Sequence, residues 1–532
     1  MSARPRSRPG QLEIGLAAPT APELPSLAIE ADWKDQQRLW GHPFHPMCSY
    51  LAMFPAALAH AFIARYSRPG DVVLDPFSGR GTTALQACAE GRVGVGNDLN
   101  PMAHLLTAAK VDPPTRLQLG ARLSELRLRW TEESEPWLEL ARRSMASPGP
   151  LGVPVPGPRG AGPDAPLPLE VALCFHPRTL GQVLMVRSAL DLDDRTDRFL
   201  AGAITGILHG KSASYLSEVM PNSFSMAPRY VRDFVARTGF QPPERDLFRG
   251  LAAKLDRLFR GGLPRSRGIA LQGDARDAGA RAREALRARA LPDRARLVVT
   301  SPPYLRVVKY GYYNWLRMWF LGIDPAAVDA SLDDGHQLDA WLPFMRDVLR
   351  GLREAVTDDA VLVLVIGDVE LDRGRRITNG SALAETVWAG AAEPEGYLLA
   401  GVALDDVLAH RKMTRIWGVE AGRATKIDRL LVIAPTELGR RRALAGSATP
   451  IDWGRAGASV ARTTRPRQAA PPARVRDDDP AASILAPDAA DVPPRRPGGH
   501  GPARAHEEPR PRADDQPAPE LRPAAAGPPV RS

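Results

Sequence analysis

Short apolar runs, each ending on a polar or turn-forming residue, alternate along this chain with longer stretches of helical period. Asp71-Val-Val-Leu-Asp75 and Val93-Gly-Val-Gly-Asn-Asp98 read as buried strands, and Ala84-Leu-Gln-Ala-Cys-Ala-Glu90 between them reads as a helix. Leu297-Val-Val-Thr300 is another strand of the same kind. A 3.6-residue period runs through Thr179 to Leu190 and Leu247 to Phe259, in a stretch without a strand-glycine-helix signal of its own. Strands separated by helices predict an α/β fold with a Rossmann-like sheet, interrupted by a mainly helical insertion.

Breaker residues divide the chain. Residues 1–28 are polar and proline-rich, and 147–168 hold Pro148-Gly-Pro-Leu-Gly-Val-Pro-Val-Pro-Gly-Pro158 within a Pro/Gly-rich linker. From 439 to 532 the composition turns to Ala, Pro, Arg and Asp with few large apolar residues, which predicts a disordered tail, as for the N-terminus. Between these lie a first core half at 29–146, the helical insert at 169–262 and a second core half at 263–438.

Two segments carry the candidate chemistry. Asp75-Pro-Phe-Ser-Gly-Arg-Gly-Thr-Thr83 leaves the first strand and enters the first helix. Its Gly79 and Gly81 permit positive φ and close ligand approach, and the helix start beyond them offers unpaired N–H groups to a carboxylate. Asp75 suits an ammonium group, and Asp98 ends the second strand where a doubly wound sheet places the acid that binds ribose hydroxyls. That arrangement fits NAD or S-adenosylmethionine. An acid in the loop and one glycine missing from G-x-G-x-x-G disfavour a pyrophosphate, whereas the ammonium and carboxylate of S-adenosylmethionine suit Asp75 and the helix start.

The second segment, Thr300-Ser-Pro-Pro-Tyr304, leaves a strand at its carboxyl end. An exocyclic amino group on a base is a poor nucleophile because its lone pair is delocalised into the ring. Acceptors on both N–H bonds bias that nitrogen toward a pyramidal form, and the Ser301 hydroxyl and Pro302 carbonyl are close enough in sequence to supply them. Pro303 has no N–H to compete, and Tyr304 is placed to stack on a base extruded from a duplex.

The pair of segments resembles motifs I and IV of the amino-directed DNA methyltransferases, the N4-cytosine and N6-adenine enzymes. The resemblance implies a donor site at Asp75, Pro76, Phe77, Ser78, Gly79, Gly81, Thr82 and Asp98, and a catalytic loop at Ser301, Pro302, Pro303 and Tyr304. His45-Pro-Met-Cys-Ser-Tyr-Leu-Ala-Met-Phe-Pro55 is similar to the segment before motif I that covers the methionine part of the donor, which adds Phe54, although Met53 stands where a basic residue is often found. Leu271-Gln-Gly-Asp-Ala-Arg276 is similar to motif III, giving Asp274 the adenine end of the donor, and Val361 to Asp368 resembles a later sheet strand with its exit loop. Serine at the first motif IV position is associated mostly with cytosine N4, so N4 is favoured over adenine N6.

In related enzymes with this motif order target recognition lies between the donor and catalytic motifs, which assigns DNA reading to the insert. Lys211 and Arg229 suit phosphates there, and Asn222 and Ser225 a base edge. The insert precedes the motif III resemblance, so either its insertion point is unusual or Asp274 is not the motif III acid. Beyond the catalytic loop, Lys309 and Tyr310 are candidate substrate contacts, while Trp315, Trp319 and Phe320 read as a buried helix face.

Composition changes this picture little. The 532 residues are 44% hydrophobic, enough for a large core, and a net charge of +9 favours a polyanion only weakly because much of it sits in Arg-rich segments. C5-cytosine chemistry needs a nucleophilic cysteine, typically after proline, and none of Cys48, Cys88 and Cys174 follows one. The cysteines form no C-x-x-C pair, and His42 and His45 have no acidic or cysteine companion, so no metal is expected. With no leader and no spanning apolar run, the expectation is a cytoplasmic, nucleoid-associated protein that contacts no membrane. The reading is thus a site-specific DNA methyltransferase, with an RNA-base methyltransferase or a catalytically silent nucleic-acid-binding protein as alternatives.

Overall fold

A computed structural model describes residues 24–454 apart from 38, 52, 146–166, 221–223, 304–308, 333–337, 371–380 and 407–422. Seven strands, β1 (Val72–Asp75), β2 (Val93–Asp98), β3 (Ile269–Gln272), β4 (Ala295–Thr300), β5 (Val356–Glu370), β6 (Leu398–Asp406) and β7 (Arg423–Ala434), form one sheet in the order β3-β2-β1-β4-β5-β7-β6. The first five are parallel, and β7 runs antiparallel to both neighbours. This is a Rossmann-like α/β sheet, and its strand order reverses between β1 and β4. Parallel sheets bind ligands in the crevice outside that switch point.

Both faces of the sheet are covered, which is why its strands read as unbroken apolar runs. On one face Val73, Leu297, Val299, Val363 and Val432 pack with Leu58, Phe62 and Ile63 of α1 (Ala56–Tyr66). On the other, Leu74, Val298, Leu362 and Leu431 meet later helices. The helices nearest β1 and β2 are α2 (Thr82–Ala89) and α3 (Pro101–Val111).

The insertion is helical, as its periodicity predicts: α4 (Arg116–Ser144), α5 (Leu169–Ala172), α6 (Pro177–Ala189), α7 (Arg195–Thr205), α8 (Pro228–Thr238) and α9 (Leu247–Leu258). Its limits differ from the sequence reading. The start of α4 is fixed by a capping box, in which the Thr115 hydroxyl accepts from Gln118 N and the Gln118 side chain accepts from Thr115 N. Pro136 interrupts the bonding and leaves Glu133 at φ −117°, ψ 18°. Leu119, Leu126, Trp130 and Trp137 of α4 share one core with α6, α7 and α9, so the helical layer begins at Arg116 rather than 169. That core also takes in α11 (Trp315–Leu321), where Trp315, Trp319 and Phe320 are buried as expected. The remaining helices are α10 (Ala278–Ala288), α12 (Pro325–Ser331), α13 (Leu338–Arg353), α14 (Ser381–Val387) and α15 (Glu437–Ser447).

Order extends past both expected boundaries. Leu27 is buried and its N–H bonds to Val402 O, while Val402 N–H bonds to Pro25 O, so the N-terminal segment is packed before residue 29. At the other end α15 continues beyond 438. The Tyr66 hydroxyl donates to Ala443 O at 2.8 Å, and a Cβ on Gly446 would lie 2.4 Å from the Tyr66 ring. This helix docks through small residues, which is why a count of large apolar side chains missed it. The tail from 455 and the linker at 146–166 lie outside the described residues. Among the described residues no helix is long and apolar enough to cross a membrane.

Candidate functional site

The two motifs meet because β1 and β4 are adjacent. Thr300 Oγ1, 225 positions from Asp75 in sequence, donates to Asp75 Oδ1 at 2.6 Å, and Phe77 N donates to the same oxygen at 3.1 Å. A second tie runs from Thr83 Oγ1 to Val299 O at 3.0 Å. Asp75 is almost fully buried, and that burial pushes its carboxyl up to about 7 against the opposing hydrogen bonds from Thr300 and Phe77. Burial also raises Asp98 to about 6, although its carboxylate accepts from Gly79 N at 2.7 Å and Asn100 N at 2.9 Å. Two carboxyls raised by burial beside the β1/β4 switch point make this the candidate site, with Asp98 in the cleft lining and Asp75 outside it.

The glycine loop adopts the conformation its sequence requires. Gly79 has φ +51° and Gly81 φ +75°, and a Cβ on Gly81 would sit 2.7 Å from Thr107 Oγ1. Ser78 and Thr82 are buried beneath the loop, with Gly81 N bonded to Ser78 O. The third position of the glycine spacing is Ala84, and here the close approach is provided by the opposing strand: a Cβ on Gly94 would lie 2.0 Å from Ala84 O. The acids therefore discriminate between cofactors more than the missing glycine does. Gly94→Ala is expected to cost about 1–3 kcal/mol by overpacking, measured as a shift in denaturant unfolding.

These elements wall a cleft of about 680 Å³, its open mouth included. Pro76, Phe77, Gly79 and Asp98 line it on the glycine-loop side and Pro303 lines it beyond β4, whereas Asp75, Ser78, Gly81, Thr82, Ser301 and Pro302 are not among its lining residues. Tyr50 and Tyr310 stack at 5.6 Å with planes 26° apart. Both line the cleft, and the Tyr50 hydroxyl accepts from Asn100 Nδ2 at 3.0 Å. Toward β3 the lining includes Asp274, Ala275 and Phe344, with Phe344 5.9 Å from the Phe77 ring. Asp274 reaches the cleft because β3 pairs with β2, so the unusual position of the insert does not remove it. Its carboxylate is held by Arg276, whose side chain pulls its pKa below the ordinary value.

Ser301 is half-buried and its hydroxyl donates to Val365 O at 3.1 Å. That bond commits the serine hydrogen and leaves the oxygen lone pairs to accept. Pro302 is buried, and Tyr304 lies outside the described residues.

Other expected contacts are placed elsewhere. Phe54 is half-buried against the α1-side core and is absent from the cleft lining, where Tyr50 of the same segment stands. Ser225 is corrected: it is fully buried, with its N–H on Tyr313 O and its hydroxyl 3.4 Å from His209 Nε2, so it cannot meet a base edge. Lys211 and Lys309 are exposed, and Arg229 is exposed beside Asp233. None of the three lines the cleft, and Asn222 lies outside the described residues. His45 bonds Gln86 and His42 Nδ1 accepts from Phe44 N; among the described residues no group of three or more His, Cys, Asp or Glu could hold a metal. Sequence reasoning missed Tyr50, Asn100 and Phe344. Tyr50 lay in a quoted segment, but Phe344 sits on an amphipathic helix with no local sign that it faces a ligand.

Residues 26–109 match the N6/N4 methyltransferase family model, described as DNA methylase. Similar curated proteins include the type II methyltransferase M.MjaII of Methanocaldococcus jannaschii, 34% identical over 13% of this chain and 13% of its own. M.SmaI of Serratia marcescens, also a type II methyltransferase, is 38% identical over 14% and 26%. The type II methyltransferase M.Cfr9I of Citrobacter freundii is 36% identical over 13% and 23%. The chain thus spans about a quarter or less of these relatives. Among solved structures, TrmN from Thermus thermophilus aligns over 74% of this chain and 52% of its own at 12% identity and a TM-score of 0.25. The rRNA methyltransferase aviRa from Streptomyces viridochromogenes aligns over 79% and 96%, at 12% identity and a TM-score of 0.27.

Proposed function

We propose that this chain, similar to the N4/N6 DNA methylase family over residues 26–109, transfers a methyl group from S-adenosylmethionine to an exocyclic amino group of a base flipped from DNA, cytosine N4 in preference to adenine N6. The observation that carries the reading is the position of Ser301. It stands one residue beyond Thr300, the end of β4 that bonds Asp75 of β1, and its hydroxyl hydrogen is committed to Val365 O of β5.

The residues present fit the donor. Asp75 offers a buried carboxylate for the ammonium, the α2 start offers N–H groups for the carboxylate, and Asp98 offers acceptors for ribose hydroxyls. Phe77, Asp274, Ala275 and Phe344 provide a largely apolar end for the adenine. When bound, the donor supplies an electrophilic methyl group. Ser301 Oγ and the Pro302 carbonyl accept the two amino hydrogens of the target, which raises the density of its nitrogen lone pair. As the N–C bond forms and the C–S bond breaks, the same acceptors stabilise the positive charge growing on nitrogen, and one proton then leaves to solvent. Tyr304 stacks on the base, and Lys211, Arg229 and Lys309 are assigned to phosphates. A cytoplasmic, nucleoid-associated location accords with this role.

Incubation with labelled S-adenosylmethionine and either DNA or RNA, followed by nucleoside mass spectrometry, is expected to give N4-methylcytosine from DNA. N6-methyladenine would overturn the base preference, and label confined to RNA would overturn the polymer. Donor binding with label in neither would indicate a silent binding protein.

A further inference from the structure

Tyr310 is half-buried and stacks on Tyr50 in the cleft lining, and the backbone that carries its ring is gripped from two sides. Asp329, in α12, accepts the N–H of Gly311 on Oδ1 at 2.7 Å and the N–H of Tyr312 on Oδ2 at 2.9 Å. Asn314 Nδ2 donates to Tyr310 O at 2.9 Å, and Asn314 Oδ1 in turn accepts from Arg317, which reaches Thr205 O at the end of α7. The grip is close as well as polar, since a Cβ on Gly311 would stand 1.9 Å from Pro325 O. The platform is itself set: Asp324 caps α12 by accepting from Ala326 N at 2.9 Å, with Pro325 at the first helical position.

A carboxylate spent on two consecutive amides next to a binding wall is more than local turn chemistry requires. We propose that Asp329 is a positioning residue of the donor site: by holding the amides of Gly311 and Tyr312 it presets Tyr310 against Tyr50, so that the aromatic wall exists before the donor arrives. Preorganisation of this kind lowers the ordering cost of binding. The proposal deepens the function given above and rests on it. Asp329 is not among the residues that line the cleft and acts only through Tyr310.

A double-mutant cycle on the full-length chain tests this, with S-adenosylmethionine affinity measured by calorimetry for wild type, Asp329→Asn, Tyr310→Ala and the double variant. Asp329→Asn loses one of its two amide acceptors and is expected to weaken binding about tenfold in the wild-type background. In the Tyr310→Ala background it is expected to change affinity less than twofold, because the ring it positions is already gone. An equal loss in both backgrounds would make Asp329 a general structural residue and overturn the proposal, as would affinity within twofold of wild type for Asp329→Asn. Should Asp329→Asn not fold, Asp329→Ser keeps a short acceptor and enters the same cycle. Wild type that binds no S-adenosylmethionine would instead overturn the donor assignment itself.

Discussion

Asp75→Ala is expected to weaken S-adenosylmethionine binding by at least thirtyfold, about 2–5 kcal/mol, because it removes one partner of a desolvated charge pair. The substitution also leaves two buried donors, Thr300 Oγ1 and Phe77 N, without the oxygen they share. Asp75→Asn separates the two effects, since it keeps an acceptor for Thr300 while removing the charge. Its donor affinity should remain close to that of the alanine variant if charge dominates. Calorimetry on both variants checks the expectation, and near-wild-type affinity in Asp75→Asn would remove the ammonium from this position.

The same carboxyl makes two pH-dependent predictions of opposite sense. Burial holds Asp75 near 7 and Asp98 near 6, so below neutrality the empty site carries protons that a cationic ammonium must displace. Donor affinity should therefore rise as the pH climbs from 5 toward 8, with proton release visible in buffers of different ionisation enthalpy. For stability without donor the sign reverses. The folded value of Asp75 lies above the ordinary 3.8, so between about 4 and 7 the folded chain binds more protons than the unfolded one. The contribution is fully present below that window and is lost as the pH rises through about 7. Asp75→Asn should flatten both trends in its share, leaving the part due to Asp98.

What could be read from the sequence was what is encoded locally. Runs such as Val72 to Leu74 are apolar on consecutive positions because both sheet faces are covered, and a glycine that takes φ +75° at a helix start is hard to replace by anything else. Contacts made by small groups at long range left no such mark. Gly94 gave no hint that it lies under Ala84 O, and α15 packs through Gly439, Ala443 and Gly446 in a stretch whose composition predicted disorder. The order of strands was also invisible, although it decides the site. Only the pairing of β3 with β2 brings Asp274 to the cleft, and only the adjacency of β1 and β4 turns two distant motifs into one hydrogen bond. Tyr50 and Phe344 were missed for a related reason: an aromatic on a half-buried segment reads as core unless its neighbours in space are known.

Ser301→Ala is expected to reduce the single-turnover rate by about 10²–10³-fold while leaving donor affinity within about threefold of wild type, because the lost acceptor acts on charge that develops during transfer. The bond to Val365 O makes a finer expectation possible. An acceptor at this position must live beside a backbone carbonyl, and serine manages it by donating its only hydrogen to that carbonyl. Ser301→Asn retains both functions, an N–H for Val365 O and an oxygen for the amino group, so it should restore part of the rate. Ser301→Asp supplies a stronger acceptor but, when ionised, points negative charge at the carbonyl with no hydrogen between them. Recovery by aspartate is therefore expected to trail asparagine near neutral pH and to improve as the pH falls. The ratio of the two rates across pH 5.5 to 8 reads this directly. Equal recovery at every pH would mean that the Val365 bond plays no part in setting the serine, and loss of donor binding in Ser301→Ala would move the residue from the reacting base to the donor cleft.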